Sequence, residues 1–372
     1  MIEEKQLSVK NVAIIIDSMT GGGAEKVMLI LAETMSRQGH NVVIFILKDV
    51  VDYEVPTSVK IIHALKDYKK SIRGWRQRKE QAKFLERSMT LIEKEQGDFD
   101  LVLVNLYESM KLAQVLGRPN TLYVMHNDCK SELKRESLMG PLKYLYMRKI
   151  LKGLHQQHLI GVSQALTDAL NHNPLFRPAS ATCIYNPLDA AEVRRLAAVP
   201  GPQLPDKFIL HVGRAAKAKR HDVLFKALSD VHVDYKLVCL SSGVKKLKKQ
   251  AIKYGVAERV VLPGFDQNPY RWMKAATLVV LSSDFEGLPT VLIEALACGT
   301  PVVSTDCPFG PSEVLSGGLE ANLVPVNDPK ALADTINQAL QDSVSVDDMP
   351  ILKAVEPDSK ANKYLSLTTE EI

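Results

Sequence analysis

Cysteine is scarce in this chain and never clustered. The five cysteines, at positions 129, 183, 239, 298 and 307, are odd in number and show no Cys-x-x-Cys spacing. That argues against a disulfide framework or a cysteine zinc site and fits reduced thiols in the cytosol. Long apolar runs are also missing, since none reaches the ~18–20 residues needed to cross a bilayer. The start, Met1-Ile-Glu-Glu-Lys-Gln, lacks the apolar core of a signal peptide, and the first apolar run, Val12 to Ile16, has the length of a strand. A cytoplasmic protein is expected. Internal repeats, low-complexity segments and recognised nucleic-acid-binding motifs are absent, so nucleic acid is not an expected partner. A Gly-x-Gly-x-x-Gly dinucleotide fingerprint is absent too.

What is present is an ordinary globular composition, 46% hydrophobic and 24% charged over 372 residues. That length exceeds one ordinary core and predicts two domains of roughly 150–200 residues. The net charge is only +4, but basic residues gather in two stretches. One runs from Lys66 to Arg87 through Lys69, Lys70, Arg73, Arg76, Arg78, Lys79 and Lys83. The other runs from Lys130 through Lys134, Arg135, Lys143, Arg148, Lys149 and Lys152, with Leu, Met and Tyr interleaved. Such stretches are either solvated helix faces or surfaces that meet anionic phospholipid or a phosphorylated lipid acceptor.

Short apolar runs alternate with amphipathic stretches along the chain. Val12–Ile16, Val42–Leu47, Leu101–Val104, Leu122–Met125 and Leu159–Val162 read as buried strands, with helical spacing over 25–38 and 77–95. The pattern restarts after the Pro/Gly-rich segment Val199–Asp206, with strands at Phe208–Val212, Lys236–Leu240, Val260–Leu262, Leu278–Leu281, Val302–Val303 and Leu323–Val326. Two doubly wound α/β domains with parallel sheets follow. Their expected bounds are 1–195 and 207–345, with a linker at 196–206. A tail at 346–372 carries a short helix near Lys360–Leu367, and Ser343–Pro357 reads as a loose connection.

The most informative stretch runs from Asp284 to Ser304. It sets two carboxylates, Glu286 and Glu294, eight positions apart across a strand-to-helix junction. Pro289 is expected as the first helical residue and Gly299 as the stop. The acids then stand on the order of 10 Å apart at ~1.5 Å rise per residue, a span suited to a long polyhydroxyl ligand rather than a shared proton or metal. Three glycines, Gly21, Gly22 and Gly23, follow the first strand and precede a helix, where backbone N–H groups can meet anionic oxygens. The second half opens on a strand ending in Gly213-Arg214, with Lys217, Lys219 and Arg220 close behind. His126 follows another strand. His155-x-x-His158 has a helical spacing but no carboxylate or cysteine partner nearby, and reads as surface.

Glu286 and Glu294, with their Gly-Leu-Pro and Cys-Gly-Thr-Pro-Val-Val surroundings, resemble the Glu-x7-Glu motif of retaining GT-B glycosyltransferases of family 4. The loops Gly21–Lys26 and Gly213–Arg220 resemble two further loops of that family, although Arg220 stands at a usual Gly and Lys26 at a usual Arg. Gly161–Ala165, Ile184–Asp189 and Asp306–Glu313 resemble other family segments. The resemblance runs from Gly21 to roughly Leu340 and implies the GT-B fold, two Rossmann-like domains facing across a cleft. It implies transfer of a hexose or N-acetylhexosamine, with retention, from a nucleotide diphosphate sugar, UDP-linked by preference. The acceptor would be a hydroxyl of lipopolysaccharide, capsule or another surface glycan.

By the same resemblance, the catalytic group comprises Arg214, Lys219, Glu286 and His126. Arg214 and Lys219 would hold the diphosphate, Glu294 the ribose, and Glu286 with the Gly287–Leu288 backbone the sugar. Phe265 would line the base pocket, and Gly21–Gly23 would close on the donor from the first domain. The tail helix, with Tyr364 to Leu367, would return to the N-terminal domain. No metal or other cofactor is expected, since cationic side chains and helix N-termini take the place of Mg²⁺. A peripheral contact with anionic membrane on the cytoplasmic side is expected through Lys66–Arg87. A GT-B sugar-nucleotide epimerase and a catalytically silent nucleotide-sugar-binding partner of a glycan assembly complex are the alternatives.

Overall fold

The computed structural model describes residues 8–65, 75–201, 204–342, 344–346 and 348–367. The chain divides into two compact units, between Pro187 and Leu188 and again between Glu356 and Pro357, with Ser163–Ala165 grouped in the second.

The first unit begins β1 (Asn11–Ile16), α1 (Gly23–Arg37), β2 (Asn41–Ile46), β3 (Lys60–His63), α2 (Trp75–Gln96), β4 (Leu101–Asn105) and α3 (Tyr107–Leu116). It continues with β5 (Thr121–Met125), α4 (Cys129–Ser137), α5 (Pro141–Lys152), β6 (His158–Gly161), α6 (Gln164–Asn171) and β7 (Ser180–Cys183). The seven strands form one parallel sheet in the order β3-β2-β1-β4-β5-β6-β7. Central strands covered on both faces must be apolar throughout, and every residue from Val12 to Ile16 and from Leu101 to Val104 is buried. On α1 the buried Val27, Met28, Leu31, Ala32 and Met35 recur at helical spacing. Asp128 opens α4 by accepting from the backbone N–H of Lys130 and Ser131.

The second unit begins with α7 (Ala190–Ala197), capped by Asp189, then β8 (Phe208–Val212), α8 (His221–Leu228), β9 (Lys236–Leu240), α9 (Val244–Lys253) and β10 (Val260–Gly264). It continues with α10 (Tyr270–Ala275), β11 (Leu278–Leu281), α11 (Thr290–Ala297), β12 (Val302–Thr305) and α12 (Pro311–Val314). Then come β13 (Leu323–Val324), α13 (Pro329–Gln341) and α14 (Pro350–Ala354). Six strands form a second parallel sheet in the order β10-β9-β8-β11-β12-β13. One apolar cluster, including Phe225, Leu237, Leu247, Leu278, Val303 and Ile336, fills the space between its strands and helices.

The final helix, α15 (Pro357–Ser366), belongs with the first unit. Asp358 there accepts from Arg37 at 3.0 Å and from Gln38 at 3.0 Å, and Lys363 donates to the carbonyl of Cys183 at 2.7 Å. Three differences from the sequence expectation stand out. The division falls before residue 195, because α7 packs on α10 and α11 and Arg194 donates to the carbonyl of Ala297 at 3.1 Å. The stretch read as loose contains α14, which stays with the second unit. Of the basic run Lys66–Arg87, residues 66–74 lie outside the described residues. Arg78 is buried, its guanidinium 4.9 Å from the Tyr146 ring centre, so it is not part of a solvated face.

Candidate active site

Ligands of open parallel sheets collect at the carboxyl ends of strands where the winding reverses. In the second unit that point lies between β8 and β11. Two loops leave it, residues 213–220 after β8 and 282–289 after β11, and they are tied together. The N–H of Asp284 donates to the carbonyl of Ala218 at 2.8 Å, and the Ser282 hydroxyl donates to that of Lys219 at 2.8 Å. Lys219 Nζ then meets Glu286 Oε1 at 2.7 Å, with side chains only 22% and 14% exposed. Arg214 is exposed on the same loop.

Arg220 adopts a left-handed conformation, φ +46°, at the position where the family resemblance has glycine. Such a backbone costs a non-glycine residue about 1–2 kcal/mol. The side chain offsets this by donating to Asp222 at 2.9 Å, Asp284 at 2.6 Å and Asn327 at 2.6 Å. The guanidinium is therefore committed to neighbouring side chains, whereas Arg214 is exposed and Lys219 pairs with Glu286. Lys217 is exposed.

Glu294 lies on α11, 8% exposed, and accepts from the Tyr270 hydroxyl at 3.1 Å. Pro289 caps that helix rather than starting it. Gly287 and Leu288 are buried under Gly310, whose φ is +98°. Phe265, 62% exposed, follows β10 at the sheet edge, two strands from β8. The structure thus brings Arg214, Lys219, Glu286, Gly287 and Leu288 onto two joined loops, with Glu294 about one turn into α11 and not two turns on as expected, because the helix starts only at Thr290, and Phe265 further out.

Two histidines of this unit were not assigned from sequence. His211, the penultimate residue of β8, is fully buried and its Nδ1–H donates to the carbonyl of Val280 at 2.9 Å. Its ring lies edge-on to His221, centroids 4.7 Å apart. Burial lowers His211 to about 4 and His221 to about 2. Both rings are neutral at pH 7, close behind Lys219. In the unfolded chain they take up protons below the ordinary value near 6.5, so stability is full above that pH and falls as pH drops from ~6.5 toward 4. The melting temperature should decline across that window, and His211→Gln should flatten the decline. An unaltered slope in thermal melts of the variant would remove His211 from this role.

In the first unit the winding reverses between β1 and β4. Gly21 has φ +40°, Gly22 caps α1, and Gly23 is its first residue. The Tyr53 hydroxyl fixes this turn by donating to the carbonyl of Gly22 at 2.8 Å. Asp17, directly after β1, accepts from the N–H and hydroxyl of Ser109, each at 2.8 Å, and so ties β1 to the start of α3. Burial, the largest influence on it, raises its carboxyl above the usual range. His126 Nε2 lies 2.9 Å from Asn105 Oδ1, and burial lowers the imidazole to about 4. His126 is therefore a neutral hydrogen-bonding group at pH 7. Asn105 is fully buried, and its amide nitrogen has no partner among the described residues. It ends β4 beside Leu106, which is held at φ +65°.

Among the described residues no group of three or more His, Cys, Asp or Glu is placed to hold a metal ion. His155 and His158 do not share a helix face, because His158 opens β6 and bonds to the Ser180 hydroxyl. Asp98 and Asp100, an Asp-x-Asp by spacing, lie at the amino-terminal end of the central strand β4, opposite the loops that follow β1 and β4. There Asp100 accepts from the N–H of Asn11 at 2.7 Å, which makes its role structural.

Residues 21–192 match the family described as Glycosyltransferase Family 4, and residues 194–351 that described as Glycosyl transferases group 1. The chain is 28% identical over 354 residues to an enzyme of Campylobacter jejuni, covering 90% of this chain and 91% of the other. That protein is named N-acetylgalactosamine-N,N'-diacetylbacillosaminyl-diphospho-undecaprenol 4-alpha-N-acetylgalactosaminyltransferase. A lipopolysaccharide 1,6-galactosyltransferase of Salmonella typhimurium is 30% identical over 171 residues, 43% of this chain and 46% of that protein. In fold, the chain resembles Anabaena HepE, solved in complex with UDP-glucose, with a TM-score of 0.67 at 17% identity over 96% of this chain and 97% of that one. Two parallel-sheet units, cationic and acidic loops at a winding reversal, and family matches from residue 21 to 351 agree: this chain belongs to the family 4 glycosyltransferases of the GT-B fold.

Proposed function

We propose that this glycosyltransferase moves a hexose or N-acetylhexosamine, with retention, from a nucleotide diphosphate sugar to a hydroxyl of a surface glycan or its lipid-linked precursor. The observation that carries the reading is the 2.7 Å approach of Lys219 to Glu286 at the winding reversal of the second sheet. A ligand whose diphosphate meets Lys219 has its sugar within reach of Glu286. The UDP-glucose complex of HepE supports a UDP-linked donor, and the undecaprenol-linked substrate in the Campylobacter enzyme's name supports a lipid-linked acceptor.

In this mechanism the bond from the anomeric carbon to the diphosphate oxygen breaks, and its electron pair stays with the diphosphate. Arg214 and Lys219, fixed beforehand, stabilise the charge that develops there. The acceptor oxygen bonds to the same face of the anomeric carbon, and its proton passes to the departing diphosphate. Glu286 and the Gly287–Leu288 backbone orient the sugar. Glu294, steadied by Tyr270, accepts from the ribose hydroxyls. Phe265 borders the base. The reading uses no metal ion.

Glu294→Ala should weaken nucleotide diphosphate binding roughly ten- to a hundred-fold, the worth of hydrogen bonds to a charged acceptor. Tyr270→Phe should cost less, because the carboxylate itself remains. Calorimetric titration showing the Glu294 variant with wild-type affinity would remove the ribose role.

A further inference from the structure

A cleft of about 380 Å³ opens on the second unit between residues 215–217, the first turn of α8 and one face of α9. Lys246, Gln250 and Tyr254, four residues apart in turn, line it along α9. The chain runs from β8 through β9 to β10 in one direction across the sheet, and from β11 through β12 to β13 in the other. Right-handed crossovers therefore set α8 and α9 on the face opposite α11, which carries Glu294, so the cleft lies apart from the proposed donor site. Its charge is positive. Lys217 and Lys246 line it and are exposed, and α9 carries five lysines and no acid. Asp222, the one acid of the wall among the described residues, is held by Arg220 at 2.9 and 3.0 Å. Lys246 Nζ donates to the carbonyl of Ala215 at 2.7 Å, which leaves two further N–H donors for an anion. Two buried polar atoms of lining side chains, His221 Nε2 and Gln250 Oε1, have no partner among the described residues. His221 is only 3% exposed, and buried polar atoms are ordinarily paired.

We propose that this cleft is a second ligand site, for a small phosphorylated polyol such as a sugar phosphate. Lys217 and Lys246 suit the phosphoryl group, since an ammonium is a point charge with several donors. The start of α8 adds to the attraction, because its N-cap residue, Arg220, supplies no side-chain cap to the first N–H groups. Lys226 and Lys253, 5.7 and 5.6 Å from the centre of the Tyr254 ring, strengthen the positive field around that wall. Gln250 Oε1 is an acceptor and calls for a hydroxyl donor, which a phosphate dianion lacks and a polyol has. The His221 imidazole, neutral at pH 7, is a further hydrogen-bonding group. The volume fits such a molecule, since small-ligand sites occupy about 300–1,000 Å³. Binding here does not presuppose the transfer reaction, because Lys217, Lys246 and Gln250 have no part in the proposed mechanism.

The test is calorimetric titration of the full chain with ribose 5-phosphate, inorganic phosphate and ribose in turn. Ribose 5-phosphate should bind saturably at one site, more tightly than phosphate, and ribose should not bind. Saturating UDP should not displace it, and the Arg214→Ala, Lys219→Ala variant should bind it as wild type does. Those two results separate this site from the donor site, whatever becomes of the proposed transfer. Lys217→Ala with Lys246→Ala should weaken binding about ten-fold or more, and Gln250→Leu about five-fold. Lys248→Ala with Lys249→Ala removes the same charge from α9 outside the cleft and should leave binding near wild type. If thermal melts show Lys246→Ala to be unfolded, Lys246→Gln replaces it. Absence of ribose 5-phosphate binding, its displacement by UDP, or equal losses from the two lysine pairs would overturn the proposal. Phosphate that binds as tightly as ribose 5-phosphate would overturn the assignment to a sugar phosphate.

Discussion

Arg214→Ala combined with Lys219→Ala should remove nearly all sugar transfer. Losing one preorganised group that meets developing charge costs on the order of 10²–10³ in rate, and the proposed mechanism sets these two on the same diphosphate. The double variant should therefore fall by at least about 10³-fold, and its parts should not add. Lys219 carries a second consequence, because its removal leaves Glu286, only 14% exposed, without its cation. Lys219→Met should consequently be no milder than the alanine. Arg220 is the control: its guanidinium is held by Asp222, Asp284 and Asn327. Arg220→Gly suits the left-handed backbone and should retain much more activity than the double variant. Near-normal turnover without Arg214 and Lys219 would end the diphosphate assignment.

Gly310→Ala should be the most damaging single-methyl change in the second unit. An added Cβ would sit 2.5 Å from Pro289 Cδ, 2.9 Å from the carbonyl oxygen of Gly287 and 3.0 Å from Leu288 Cα. Two of those neighbours are backbone and cannot turn aside. With φ at +98°, the substituted residue also carries backbone strain of about 1–3 kcal/mol. Relief requires moving the Gly287–Leu288 segment, the sugar-side wall of the proposed donor site. A lowered melting temperature should therefore accompany weaker binding of a nucleotide sugar, with less effect on nucleotide diphosphate alone. Wild-type stability and sugar affinity in this variant would show that the segment tolerates displacement.

The two sheets were legible because parallel strands buried on both faces are apolar without interruption, as Val12–Ile16 and Leu278–Leu281 are. The Glu286–Glu294 junction was legible for a similar local reason, with a strand, a proline and a glycine punctuating it. Long-range pairing was not. The Lys219–Glu286 contact joins residues 67 positions apart, and the His211–His221 stack depends on how β8 meets α8. Residues 199–206 have linker composition yet follow α7 within the second unit. Asn268 there binds the carbonyl of Leu196 at 2.9 Å, a tertiary contact without local signature. Asn105 was hidden as well. A polar residue ending a strand signals nothing until His126 is seen beside it at 2.9 Å.

The most direct test is a donor screen. Purified protein is offered UDP-, GDP- and ADP-sugars in the presence and absence of EDTA, and free nucleotide diphosphate is followed. The account predicts release from a UDP-sugar that survives EDTA and disappears in the Arg214→Ala, Lys219→Ala variant. Failure of every donor to bind or turn over would contradict it, and so would release that EDTA abolishes.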